Sequence, residues 1–526
     1  MSGSKERFSP FVKQCFVTTG VCCNVIGIGC TLGFPGVLLP RLHQLGSPIR
    51  PSKEMESWIA SVAAISMFFG NFMTPPIMGR LGRKMAHYAV TVPVLAGWLA
   101  MILATSSEAL LAGRILHGIG VGMMLPLRSV LLGEYRPSHT GCVCVDVHVH
   151  GCCARHAAHA TQRAAHAAGV ARPYTSPRNR GGFLTTIALA QGFGILFVHL
   201  VGTFLSFQHT AIISLSFSVI SFLMTIYSPE SPSWLATNGQ YDKCREVFIW
   251  LRGEEEIPEL EKMIETSKHL ERTNELISKG LKDIVAIVKK KEFNKPVLLM
   301  FAVYIMSNFS GPMLFASYST VILHLLMGPD IDAHFWMVAF DIQRLIFNIG
   351  AVYVINKTGR RTMMFATGAL CAGSHLAQAG YVFAKANNYL PFDSLWIPGI
   401  LVSLQVLSFA VGMIPLPSVI AGEVYPLQYR SLAGSVSIVA SAASILLVLK
   451  TFPGLISGIG LQGAYLLYTG VIVAGLAVVL FLLPETRGRT LQQIEECFRG
   501  EPFEPERERG KELDPLNITE EEKMLA

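Results

Sequence analysis

Arginine and glutamate recur together in short motifs, and each motif occurs twice. GRLGRK at 79–84 is answered by NKTGRR at 356–361. GEY at 133–135, with a displaced NRG at 179–181, is answered by GEVYPLQYRS at 422–431, and PESPSWL at 229–235 by PETRGRTL at 484–491. The first set holds Arg83, Glu134, Arg180 and Glu230; the second holds Arg360, Arg361, Glu423, Arg430 and Glu485. Guanidinium and carboxylate groups form charge-assisted hydrogen bonds, yet exposed pairs are worth only about 0–1 kcal/mol each. That weakness suits a gate whose pairs form when two bodies close and break when they separate. The plainer alternative is basic anchoring with glutamate as solvated counter-charge.

Every motif copy follows an apolar stretch long enough to cross a bilayer, which takes ~20 helical residues. Composition agrees: 51% of residues are hydrophobic and 15% charged, against about 25% charged in a soluble domain. Duplicated motifs after duplicated spans describe a solute carrier built from internal repeats. The expected fold is an all-α membrane protein of twelve transmembrane helices in two pseudo-symmetric six-helix bundles, residues 14–228 and 296–483. Residues 1–13, 229–295 and 484–526 remain outside the bilayer. Lys and Arg concentrate after even-numbered spans, so the positive-inside rule puts both termini and the 229–295 segment in the cytoplasm of a multi-pass protein in the cell membrane. Topology thus accounts for the net charge of +7 without a nucleic-acid partner. Met1 to Val12 is polar and the run behind it long, so the first span is read as its own insertion signal. Between the bundles, Tyr241, Val247, Trp250 and Leu251, then Leu260 and Ile264, recur at helical spacing and predict amphipathic helices.

Residues 136–174 change character. They hold six histidines and four cysteines, and Cys142, Cys144, His148, His150, Cys152 and Cys153 would pass for a metal site by type. Cys-Val-Cys-Val and His-Val-His are also what a TG/CA dinucleotide repeat encodes in translation. Removing 136–174 joins GEY to TSPRNRG at a repeated tyrosine and evens the motif spacings. The segment is therefore read as an anomalous low-complexity insertion, and no metal or other cofactor is expected.

SWIAS at 57–61, GRLGRK, GRILHGIGVG at 113–122, GEY with TSPRNRG, PESPSWL, GEVYPLQYR and PETRGRTL stand in order, each after its span. In this the chain resembles the sugar-porter branch of the major facilitator superfamily, and most of all the insect trehalose transporters. The resemblance implies facilitative transport of a small polar solute, a sugar or polyol, by alternating access, with membrane lipid and solute as its only partners and no enzymatic step. The alternatives are a non-transporting nutrient receptor of the same fold and a carrier of some other organic solute.

The chain departs from that family where the solute would bind. The resemblance aligns the seventh-span glutamines with Ser307 and Asn308, the fifth-span glutamine with Ala188, the tenth-span tryptophan with Ser418 and the eleventh-span asparagine with Ser441. A site without such partners binds polyols poorly. Charge stands there instead: Asp341, Arg344 and Asn348 share one face of the eighth span, and Arg344 takes the place of a sugar-contacting asparagine. An arginine at bilayer depth costs about 2.5–3.5 kcal/mol on insertion scales, so Arg344 either lines a wet cavity or is neutralised by Asp341 within the helix. No Asp or Glu occurs from Phe11 to Pro40. Proton-linked relatives titrate an acid there against the arginine matching Arg114, so its absence points to a uniporter.

Overall fold

The computed structural model describes residues 10–44, 49–134, 180–254, 257–274, 290–389, 394–425, 430–487, 489 and 491–499. The 136–174 insertion lies outside them. The first six spans are α1 (Pro10–Leu42), α2 (Lys53–Arg80), α3 (Arg83–Ile102), α4 (Ser107–Glu134), α5 (Arg180–Phe204) and α6 (Phe207–Tyr227). Three short helices follow, α7 (Pro232–Thr237), α8 (Tyr241–Arg252) and α9 (Ile257–Asn274). The second half comprises α10 (Lys291–Phe309) with α11 (Pro312–Met327), α12 (Ala333–Lys357), α13 (Arg360–Ala386), α14 (Trp396–Ser408) with α15 (Pro415–Val424), and α16 (Arg430–Leu482), before a terminal α17 (Leu491–Arg499). Spans seven and ten are each broken in two, and α16 contains spans eleven and twelve, bent at Gly460 (φ 71°). That makes twelve spans in two halves.

Both breaks have physical causes. Span seven turns at Gly311, whose φ of 102° is open to glycine and strained for any other residue. The turn frees the Ser310 carbonyl, which accepts from Gln405 Nε2 at 3.1 Å, and Gln405 in turn accepts from Gln378 Nε2 at 3.0 Å. Two side-chain amides thus satisfy backbone that lipid could not. Span ten passes through one π-turn, Phe409–Met413, which admits the following Pro415 and aims Phe409 inward.

The GRILHGIGVG motif packs through its small residues. Gly118 and Gly122, one turn apart, lie against the backbone at Ala63 and Met67, bringing α4 against α2 as small-xxx-small pairs do in membranes. Arg114 then reaches past both, donating from Nε to Ile59 O at 3.1 Å and from Nη1 to Thr31 O at 2.7 Å. Outside the spans, Leu235, Cys244, Phe248, Leu260 and Ile264 form a small core of α7–α9, the amphipathic arrangement the spacing predicted. Burial pushes the Cys244 thiol up to about 11, with Arg245 pulling weakly the other way. Gln14 Nε2 ties α1 to α8 by donating to Leu251 O at 2.7 Å.

The duplication is visible atom by atom at the motif-bearing face. Glu230 accepts from the Arg83 and Lys84 backbone amides at 2.8 and 3.2 Å, and Glu485 accepts from those of Arg360 and Arg361 at 2.9 and 3.2 Å. Each carboxylate therefore caps the N-terminus of its third helix, where unpaired N–H groups and the helix dipole favour an anion. Arg83 Nη1 donates to Met78 O at 3.0 Å, and Arg360 Nη1 donates to Ile355 O at 2.8 Å. Gly82 and Gly359 make room, since a Cβ on either would run into its carboxylate. They differ in backbone: Gly82 has φ 97° and Gly359 φ −67°. Alanine at either position should loosen the cap, and at Gly82 it adds about 1–2 kcal/mol of left-handed strain. Gly82→Ala is thus expected to lower the unfolding temperature of the detergent-purified protein by clearly more than Gly359→Ala does.

Candidate functional site

A cavity of about 380 Å³ lies where the halves meet, inside the range of small-molecule sites. The first half contributes Val25, Ile28, Leu32, Met67, Arg114, Met124 and Gln191, and the second contributes Tyr304, Ser307, Asn308, Ser317, Arg344, Asn348, Ser418 and Ser441 among others. Six of the seven residues expected from sequence to line a cavity do so: Ser307, Asn308, Arg344, Asn348, Ser418 and Ser441. Asp341 does not.

Several of the polar groups are already spoken for. Asn308 donates from Nδ2 to Ser444 Oγ at 2.8 Å and to Ser441 Oγ and O at 3.2 Å, pinning the end of α10 to α16. Ser307 donates to Met413 O, and Ser418 donates to Pro415 O at 2.8 Å, within its own helix. Arg344 and Asn348, four residues apart on α12, are 5% and 3% exposed. Among the described residues neither has a hydrogen bond or ion pair. The Arg344 guanidinium lies over the Phe409 ring, 5.7 Å from its centroid, a cation–π contact that orients the group.

Asp341 turns away to the other half of the molecule. Its Oδ2 lies 2.5 Å from Nδ1 of His199 on α5, while its charge still acts on Arg344 one turn along the helix. Nε2 of His199 faces two carbonyl oxygens, Gly33 O at 3.0 Å and Ala316 O at 3.2 Å. Carbonyl oxygens only accept, so Nε2 carries a hydrogen. A hydrogen bond from Nδ1 to the carboxylate needs a hydrogen on that side as well. One ring thereby joins α1 and α5 to α11 and α12 at full burial. Sequence reading missed His199. The available signal was a histidine inside an apolar span with an acid in a neighbouring repeat position, since an ionisable group at that depth needs a partner. Gln191 was missed too, one turn beyond the Ala188 that the resemblance proposed.

Other described polar ties between the halves lie at the same end of the molecule, away from the motifs. Ser57 Oγ donates to Lys450 O at 3.2 Å, and Lys450 Nζ sits 3.8 Å above the Trp58 ring. The motif residues behave differently. Arg360 donates from Nη2 to Glu423 Oε1 at 3.1 Å, and Thr486 Oγ1 donates to Glu423 Oε2 at 2.6 Å. Arg361 Nη2 donates to Leu480 O at 2.8 Å, matching Lys84 Nζ on Ile226 O at 2.8 Å. These described contacts of Arg83, Glu230, Arg360, Arg361, Glu423 and Glu485 stay within one half, so in this conformation they brace helix ends and do not tie half to half. The side chains of Glu134, Arg180 and Arg430 lie outside the described residues.

Removing one member of a buried pair leaves the other uncompensated, at a cost of about 3–5 kcal/mol. His199→Ala and Asp341→Ala should each destabilise the detergent-solubilised protein by that order. His199→Gln combined with Asp341→Asn, which keeps a neutral hydrogen bond, should recover most of the loss. A double-mutant cycle on unfolding free energy reads the coupling; additive effects would show that the two side chains do not share a proton.

The profile of the family described as Sugar (and other) transporter matches residues 12–148 and 171–498, and its interruption falls inside the anomalous 136–174 segment. The facilitated trehalose transporter Tret1 of Culex quinquefasciatus is 25% identical over 494 residues, 94% of this chain and 86% of that protein. Tret1 of Aedes aegypti is 24% identical over 505 residues, 94% of this chain and 57% of that longer protein, so the chain spans little more than half of that relative. Among solved structures, the inward open conformation of the xylose transporter XylE from E. coli superposes with a TM-score of 0.66 at 15% identity, covering 93% of this chain and 100% of that one. The proton:xylose symporter XylE bound to 6-bromo-6-deoxy-D-glucose gives 0.65 at 16% identity, covering 93% and 99%. With twelve spans in two like halves, a cavity at their junction and a family profile that matches almost its whole length, this chain belongs to the Sugar (and other) transporter family and has the major facilitator fold.

Proposed function

We propose that the protein moves a small hydroxylated solute, a sugar or polyol of hexose to disaccharide size, across the cell membrane by alternating access, with both termini cytoplasmic. The carrying observation is the cavity's place and lining: it sits between two halves joined by few described polar ties, with the Gln191 amide from the first half and amides and hydroxyls from the second. The named relatives transport trehalose and xylose, which fits a hydroxyl-rich solute.

Uniport is the mode these residues support. The positive charge of Arg114 is spent on two backbone carbonyls of α1 and α2, and α1 supplies no carboxylate for it to trade a proton with. In this reading the His199–Asp341 unit closes the extracellular side, and separation of the halves there requires its proton to be kept by one partner. The bracing pairs at the motif face hold each half rigid, so that the halves move as bodies. A non-transporting receptor remains the second reading, favoured by one observation: the hydroxyls of Ser307 and Ser418 and the Asn308 amide are bonded to protein instead of being free for solute.

Counterflow in proteoliposomes made with the full chain separates them. Preloading with unlabelled trehalose or D-glucose is expected to drive transient accumulation of the labelled sugar, unchanged by collapse of a pH gradient. Binding of sugar without counterflow would establish the receptor, and dependence on the pH gradient would overturn uniport.

A further inference from the structure

Arg344 is the group that the reading above leaves unused. It lines the cavity at 5% exposure, and its Nε is buried without a partner. The acid that could have matched it, Asp341, is committed to His199. Of the described residues that line the cavity, two are cationic, Arg114 and Arg344, and none is acidic. Arg114 has backbone carbonyls to hold; Arg344 lies over the face of Phe409 and feels the charge of Asp341 three residues before it, with no described hydrogen bond. A desolvated guanidinium whose nearest acid is hydrogen-bonded to another group is costly, and a solute that brings a carboxylate within bonding distance offsets that cost.

Resting on the proposed carrier function, we propose that the solute is a hydroxylated carboxylate, a sugar acid, whose carboxylate is held by Arg344. The planar fork of an arginine matches a carboxylate in two parallel N–H···O bonds, and stacking on Phe409 fixes the plane of that fork. Asn348, one turn along α12 and free of hydrogen bonds among the described residues, stands ready for an adjacent hydroxyl. The scarcity of free hydroxyl-pairing groups elsewhere in the cavity follows: one charge-assisted bidentate contact replaces several neutral bonds. Transport then moves one negative charge per cycle, because no described cavity acid is available to bind a compensating proton.

The test uses D-glucuronate and D-glucose, which differ at C6 as carboxylate and hydroxymethyl. In proteoliposomes of the full wild-type chain, glucuronate should compete for uptake at least about tenfold better than glucose, the worth of one charge-assisted contact. Its uptake should rise when valinomycin and a potassium gradient make the interior positive. Arg344→Asn should abolish the preference for glucuronate over glucose, read as the ratio of the two competitions whatever its effect on the overall rate, and Arg344→Lys, which keeps the charge without the fork, should fall between. Equal competition by the two sugars in the wild type, or a preference that survives Arg344→Asn, overturns the assignment while the carrier reading stands. Failure of either sugar to exchange, in a protein that still binds glucuronate through Arg344, overturns the carrier reading and leaves the anion site. Absence of both binding and exchange for glucuronate overturns this inference outright. Because the wild-type comparison needs no variant, loss of folding in a substituted protein does not spare the proposal.

Discussion

The buried contact between the His199 ring and the Asp341 carboxylate is the constraint on which the arrangement of the two halves rests. Its ring nitrogens face a carboxylate on one side and two backbone carbonyls on the other, so both must be supplied with hydrogen. Pairing the carboxylate with a hydrogen-bonding ring lets both lie buried at bilayer depth without the several kcal/mol that an isolated ion there would cost. It also binds four spans from both halves at one point. The same commitment leaves Arg344 without a direct bond to its nearest acid, which acts on it only through its charge.

The opposite end of the molecule follows a different logic. There the duplicated motifs produce duplicated geometry: Glu230 and Glu485 each close the N-terminus of the third helix of its own half through two backbone amides. Arg83 and Arg360 each reach back to a carbonyl at the end of the preceding helix. A carboxylate at a helix N-terminus is stabilised by partly buried N–H dipoles more firmly than by an exposed ion pair. These residues make each half a stiff unit. On the proposed alternating access, movement is concentrated at the junction, where the described ties are few and the cavity lies.

How much of this was readable from sequence divides along the same line. Twelve spans, the two-fold repeat and the motif residues were legible because apolar length and duplicated charge are local signals. The helices of 229–274 were legible because amphipathic spacing is local too. The identity of partners was not. Glu230 looked like half of an ion pair, and only coordinates show it bonded to backbone amides across a loop. Asp341 looked like the partner of Arg344, three residues away on the same face, and it bonds to His199 because packing of the other half brings that ring within hydrogen-bond distance. Gln405, which satisfies the break at Ser310, could not be matched to it from spacing, since the two meet only when spans seven and ten pack. Long-range pairing of this kind is fixed by tertiary packing and leaves no period in the chain.

The central claim, that the proton-bearing His199–Asp341 pair closes one face of the molecule, is tested most directly by hydrogen–deuterium exchange on the reconstituted wild type and Asp341→Asn. The account predicts faster exchange in Asp341→Asn for peptides from the ends of α1, α5 and α11 and the start of α12. Peptides around Arg83, Glu230, Arg360 and Glu485 should exchange at the wild-type rate. Unchanged exchange at the His199 end, or an equal rise at both ends, would contradict it.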